Sequence, residues 1–295
     1  MGQQGQWQVA GSAPEVYERE LVPAVFAPWA TILIDPARPK LGERVVDIAC
    51  GTGIVARLAA VKVGPTGVVT GIDLNPGMLN VARSLGMADD AASVQWQEAN
   101  ADKLPSPDSA FDIVYCQLGL QFFADRPAAL REMRRVLCSR GRLVLMVWCG
   151  IDRSPGFESL AKILERHIGP AAATIMRAPF GLADADELSR LVAAANFQDI
   201  TVQRRVGAIE FPSVERFVSS YVAGSPLASH VSQASDAARQ RLISDTNAAL
   251  EPYVDSRGLS FPIAAHLLTA TRLSLALAYP DIRNDATASA CAPLG

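Results

Sequence analysis

Between residues 44 and 148 the chain alternates short apolar runs with amphipathic stretches of roughly ten residues, and few folds accept that rhythm. The apolar runs at 44–49, 68–73, 94–98, 111–116 and 142–148 read as strands. The stretches at 54–63, 76–85 and 127–136 read as helices, with turns at 64–67, 105–109 and 139–141. The runs are continuously apolar rather than alternating, as expected of strands covered on both faces. The rhythm predicts an α/β fold with a parallel sheet built from βαβ units. After Gly150 the pattern loosens. Helices are expected at 157–167, 184–195, 214–222 and 236–254, and strands at 199–205, 208–211 and 263–271. The first 40 residues read as a helical preface broken at Pro23 and Pro28.

Composition removes several classes of function. The net charge is −3 over 295 residues, and the densest basic run (Arg131, Arg134, Arg135, Arg140, Arg142) is interrupted, so no nucleic-acid partner is expected. The five cysteines (Cys50, Cys116, Cys138, Cys149 and Cys291) form no C-x-x-C pair. Their sparse, odd count suits a reducing, cytoplasmic setting. His167, His230 and His266 lie far apart, and no metal-ligand spacing is seen. The polar stretch 1–11 predicts no leader, and no uninterrupted apolar run reaches the length of a membrane span.

The most informative residues are 47–53, D-I-A-C-G-T-G. A strand feeds a loop with glycines at alternate positions, then a helix. Glycine lets a ligand approach the main chain closely, and the helix start offers free N–H groups. Asp73, at the end of the next strand, is placed to take the hydroxyls of a ribose. The run 51–56 also satisfies G-x-G-x-x-A, so a nicotinamide dinucleotide remains an alternative. Asp47 weighs against it. A buried carboxylate costs several kcal/mol unless paired, and a diphosphate offers it no partner, whereas a cationic ligand does.

These segments resemble class I S-adenosylmethionine-dependent methyltransferases of the methyltransferase-11 type, in the branch of ubiquinone and menaquinone biosynthesis. Residues 45–53 are similar to motif I and 71–79 to the ribose-holding segment. Residues 100–112 are similar to the adenine loop, and 119–141 to the segment after strand four. The resemblance implies a Rossmann-like, doubly wound, mostly parallel seven-stranded sheet with helices on both faces, an N-terminal helical lid and insertions after strand five. It divides the chain into a lid (1–40), an S-adenosylmethionine-binding core (41–150), acceptor-side helices with the last strands of the same sheet (151–272), and a C-terminal tail (273–295).

The resemblance also implies roles. Asp47, with the backbone of Ala49, Gly51, Thr52 and Gly53, would face the methionine part of the donor, and Asp73 its ribose. Leu74 and Met78 would pack on adenosine, although core packing explains Met78 as well. Asn100 and Ala101 would meet adenine. Asn100 stands where the family usually has Asp, and its carbonyl oxygen can accept the same amino hydrogen. Gln117 would line the methionine end, and Tyr17 would close over the sulfonium with Phe26 or Trp29. Trp148, Phe157, Phe180, Phe217 and Tyr221 would wall the acceptor.

The implied reaction moves a methyl group to an O, C or N atom of a small molecule, quinone-like or natural-product in scaffold, leaving S-adenosylhomocysteine. It asks chiefly for alignment, and no residue stands out as a catalytic base. Two readings stay beside it: an NAD(P)-dependent oxidoreductase, and a methyltransferase-like binding protein without turnover. The acceptor's identity and any homo-oligomer are left open.

Overall fold

The computed structural model describes residues 9–273; the expected tail beyond them lies outside the described residues. In chain order the strands are β1 (Arg44–Ile48), β2 (Val68–Asp73), β3 (Ser93–Glu98), β4 (Phe111–Gln117), β5 (Leu137–Trp148), β6 (Gln198–Phe211), β7 (Val254–Asp255) and β8 (Gly258–Thr271). The helices are α1 (Ala13–Val16), α2 (Ala27–Ile34), α3 (Ile54–Val63), α4 (Pro76–Ser84), α5 (Arg126–Val136), α6 (Pro155–His167), α7 (Pro170–Arg177), α8 (Ala185–Ala194), α9 (Val214–Ala223), α10 (Leu227–Ser232) and α11 (Asp236–Leu250).

The sheet order is β3-β2-β1-β4-β5-β8-β6, with the two-residue β7 paired to β8 as an eighth strand. Strands β1 to β5 run parallel, and β8 is antiparallel to both neighbours. The parallel core is what the strand–helix rhythm predicts, and the doubly wound, mostly parallel arrangement is what the resemblance implies. The chain order reverses between β1 and β4, which leaves a crevice beyond their C-terminal ends.

Burial explains why the strands read as unbroken apolar runs. Along β5, Val144, Met146 and Trp148 enter one core, while Leu143, Leu145 and Val147 enter the other. Along β4, Ile113 and Tyr115 face the first core, and Val114 and Cys116 face the second. Side chains still alternate with period two, but both faces are dry. The first core is covered by α2, α3, α6 and α9, and the second by α5 and α8.

Four local expectations are corrected. Pro23 and Pro28 do not break the preface, because residues 17–26 form a π-helical segment between α1 and α2. In that wider turn the Ala27 N–H reaches back to the Val22 carbonyl, and Pro28 falls in the first turn of α2, where a missing N–H is tolerated. The resulting helical path, Ala13–Ala37, is long and apolar enough to cross a membrane by length and composition alone. Its apolar residues Leu21, Val25, Trp29, Leu33 and Ile34 belong to the first core. The strands expected at 199–205 and 208–211 are one, β6. Gly207 keeps register with Ile263, and a Cβ there would stand 2.8 Å from the Trp29 ring. The turn at 139–141 is a bulge inside β5: pairing jumps from Phe111–Leu137 to Ile113–Arg142, with Arg140 at φ 62°. The last long helix stops at Leu250, ahead of Pro252.

The cap over the sheet is held by rings. Phe157 meets Phe180, Phe217, Tyr221 and Phe261 with centroids 5.0–5.7 Å apart. Phe217 is fully buried among them. We expect Phe217→Ala to cost about 3–5 kcal/mol of stability. Urea denaturation checks this; a loss below ~1 kcal/mol would mean the cluster does not hold the cap.

Candidate functional site

The end of β1 turns into a loop whose backbone few side chains tolerate. Ala49, Gly51 and Gly53 all have positive φ, at 58°, 55° and 87°. The Cys50 N–H bonds the Ile72 carbonyl, and the Gly53 N–H closes back on the Cys50 carbonyl at 2.8 Å. Asp73, ending β2, ties this loop to the next. One carboxylate oxygen accepts the Gly51 N–H at 2.7 Å, and the other accepts the Asn75 N–H at 2.8 Å. The Asn75 side chain caps α4 by accepting from the Gly77 and Met78 N–H groups. Its amide also donates to the Val9 carbonyl, which holds Val9 at the site.

Above these loops lies a cavity with about 1270 Å³ of space, its solvent-open part included. Of the residues expected in a site, Tyr17, Ala49, Gly51, Asp73, Leu74, Met78, Asn100, Ala101 and Gln117 line it together. Leu74 is 43% exposed and stands at the rim. Met78 both lines the cavity and packs with Val9 and Ala13, so its two accounts coexist. The Asn100 carbonyl oxygen accepts the Asp102 N–H at 3.4 Å. Gln117 donates to the Phe26 carbonyl, which fixes the lid to the end of β4. Tyr17 stacks on Phe26 at 4.7 Å.

Asp47, Thr52 and Gly53, expected at the methionine end, are not among the residues that line the cavity. Asp47 points beneath the loop toward the start of α3, where one oxygen accepts the Ala56 N–H at 3.1 Å. Its other oxygen and the Thr52 hydroxyl are buried with no hydrogen-bond partner. Gly53 makes room for protein rather than for ligand: a Cβ there would come within 2.2 Å of the Trp96 indole, which props the loop from behind. Of the expected acceptor wall, Trp148, Phe157 and Tyr221 line the cavity, as does Phe26. Trp29, Phe180 and Phe217 are buried in the core instead; Trp29 meets Trp148 edge-on at 5.1 Å.

Asn75, Gln121, Phe122, Phe123 and Val9 line the cavity without having been anticipated. The Asn75-Pro76 pair, a helix-start signal two residues past Asp73, was the clue available for the first of them.

The electrostatics follow from burial. Desolvation pushes the carboxyls of Asp47 and Asp73 above the ordinary range, although N–H donors to both pull the other way. The Tyr17 phenol is raised by burial and by the neighbouring charges of Asp73 and Glu18. Glu18 pairs with Arg57 at 3.0 Å, and Arg57 also donates to the Thr52 carbonyl, so the lid grips the glycine loop. None of the three histidines lines the cavity. His167 meets Asp245 at 2.7 Å, His266 meets the Ala183 carbonyl at 2.8 Å, and His230 lies beside Ser229.

Residues 46–145 match a family model described as a methyltransferase domain. The ubiquinone/menaquinone biosynthesis C-methyltransferase UbiE of Ectopseudomonas mendocina (strain ymp) is 39% identical over 140 residues, covering 47% of this chain and 53% of that protein. The chain thus spans about half the length of the curated relatives it matches. Among solved structures, the YcgJ protein of Bacillus subtilis superposes with a TM-score of 0.54 at 24% identity, covering 83% of this chain and 98% of that one. The phosphoethanolamine N-methyltransferase 2 of Haemonchus contortus, in complex with S-adenosyl-L-methionine, gives a TM-score of 0.56 at 18% identity. That match covers 88% of this chain and 57% of the other. At these identities both likenesses establish the fold.

The Trp96 prop gives a direct test. Gly53→Ala should cost roughly 2–4 kcal/mol, from the left-handed backbone and the collision with Trp96. In a Trp96→Leu background only the backbone part should remain. A double-mutant cycle from denaturation midpoints reads the coupling, and additive effects would remove the prop.

Proposed function

With a methyltransferase domain in residues 46–145 as the premise, we propose that this chain uses S-adenosylmethionine to methylate a small, largely apolar molecule at O, C or N. A quinone-like or natural-product scaffold fits best. The observation that carries the reading is the Asp73 carboxylate. It lines the cavity at the C-terminal end of β2 while bound to the Gly51 N–H of the glycine loop.

The residues present suit this donor. Each Asp73 oxygen keeps a lone pair after accepting one N–H, so the carboxylate can still receive the two ribose hydroxyls. Leu74, Met78, Asn100 and Ala101 lie on the same wall and supply an adenine slot. The Asp47 oxygen and Thr52 hydroxyl that lack partners lie under the loop where the methionine end belongs. Asp47 then acts through the loop by its charge. Two carboxyls beside the glycines favour a cation and oppose a diphosphate, which disfavours the dinucleotide alternative. The bound donor supplies an electrophilic methyl group on a positively charged sulfur.

The chain's own contribution is alignment and exclusion of water. Tyr17 and Phe26 cover the donor side, while Phe122, Phe123, Trp148, Phe157 and Tyr221 offer aromatic walls. Asp73 is the one charged side chain among the described residues lining the cavity. A neutral, apolar acceptor is therefore favoured. With no histidine in the lining, an acceptor that ionises readily by itself suits the site.

The charge argument fixes the sign of a pH effect. The Asp47 and Asp73 carboxyls are raised by burial, so acid neutralises them first, and a cationic donor needs them ionised. S-adenosylmethionine affinity should weaken as pH falls through the raised range in which these carboxyls titrate and be strongest above it; binding within that range should release protons. Calorimetry in buffers of different ionisation heat reads this, and Asp47→Asn should flatten part of the slope. Separately, Asp73→Ala should lower S-adenosylhomocysteine affinity at least tenfold with the fold retained. Affinity that is unchanged would remove Asp73 from the donor site, and a melting temperature raised by NAD but not by S-adenosylhomocysteine would overturn the assignment.

A further inference from the structure

Two buried tyrosines stand in opposite situations. The Tyr115 hydroxyl donates to the Ile34 carbonyl at 3.0 Å and is satisfied inside the protein. Tyr221 is 5% exposed and lines the cavity, yet its hydroxyl has no hydrogen-bond partner among the described residues. Its hydroxyl is not among the sealed polar atoms that lack a partner, so it opens onto the cavity, where a ligand atom can meet it.

Its surroundings hold it in that position. The Tyr221 ring is fixed between Phe157 at 5.0 Å and Phe217 at 6.1 Å, on a helix capped by Ser213. Two glutamines near the acceptor walls each have one of their two amide hydrogens committed. The Gln117 amide donates to the Phe26 carbonyl, and the Gln121 amide to the Leu118 carbonyl. Tyr17 carries the cavity's other phenol and lies at the glycine loop, with a Cβ built on Gly51 falling 3.7 Å from its hydroxyl, although it is near enough to Tyr221 to feel its charge. A rigid, uncommitted donor in an aromatic chamber is how a site selects an apolar ligand by one polar atom.

We propose that Tyr221 is a specificity-determining residue for the methyl acceptor, donating a hydrogen bond to an uncharged oxygen substituent on a flat apolar scaffold. This rests on the methyltransferase reading of the cavity. Burial holds the Tyr221 phenol above its ordinary value, so it stays protonated and able to donate at working pH. Because no positive side chain lines the cavity among the described residues, a carbonyl, ether or hydroxyl oxygen suits it better than a carboxylate or phosphate. A site built around such a bond rejects the analogue that lacks the oxygen.

The test uses a matched pair of probes of nearly equal shape, 1-acetylnaphthalene and 1-ethylnaphthalene. Their binding to the S-adenosylhomocysteine-loaded protein is measured by equilibrium dialysis. The oxygen-bearing probe should bind about tenfold more tightly. In Tyr221→Phe that gap should close, while S-adenosylhomocysteine affinity and melting temperature stay within the scatter of the native protein. In Tyr17→Phe the gap should persist. Equal affinity of the two probes for the native protein overturns the proposal, as does a gap that survives Tyr221→Phe. A Tyr221→Phe protein that loses S-adenosylhomocysteine affinity would also overturn it, because the residue would then act on the donor side or on the fold. Failure of the native protein to bind S-adenosylhomocysteine at all would instead bring down the underlying methyltransferase reading, and the proposal with it.

Discussion

One carboxylate joins the parts of this molecule that matter for its chemistry. Asp73 accepts the Gly51 N–H from the first loop and the Asn75 N–H from the second. It reinforces the backbone bond from Cys50 to the Ile72 carbonyl, which already ties the first loop to β2. A charge held in so dry a place is costly. Two backbone donors offset part of that cost, and burial still pushes the carboxyl toward its neutral form. The geometry of the cavity floor and its electrical character thus have the same source.

The core and one wall of the cavity were legible from residue order because they rest on local, periodic signals. The apolar runs gave the strands, and the spacing from Gly51 to Asp73 brought two loops to one crevice. What a linear reading missed depends on contacts made across the fold. Gly53 reads as a ligand contact, but its reason is Trp96, an indole arriving from β3. Asp47 reads as a pocket residue, yet its place in the pleat turns it toward Ala56 under the loop. Gly207 reads as a break between strands, whereas Trp29 needs the space there while the pairing continues. Phe180 and Phe217 could not be told from Phe157 and Tyr221 by type, since which rings face the cavity depends on how the helices cross.

The lid shows how tertiary structure can override a strong local signal. Two prolines within six residues ordinarily end a helix. Here the path widens into π-turns over 17–26, and the segment that reads as broken becomes the one that delivers Tyr17 and Phe26 to the cavity. Hydrogen bonds at well-separated points anchor this path: Gln117 to the Phe26 carbonyl, Tyr115 to the Ile34 carbonyl, and Arg142 to the Ala37 carbonyl. Each anchor comes from β4 or β5, so the strands that shape the crevice also hold its cover.

The Glu18–Arg57 pair sets a limit on how this protein can be re-engineered. Arg57 holds the Thr52 carbonyl with one nitrogen and the lid with another. Grafting a different N-terminal segment would therefore disturb the glycine loop as well. Helix α9 is no freer, because the Arg216 guanidinium and the Ser220 hydroxyl both donate to Glu20 of the same segment, so a change there pulls on the same fastening.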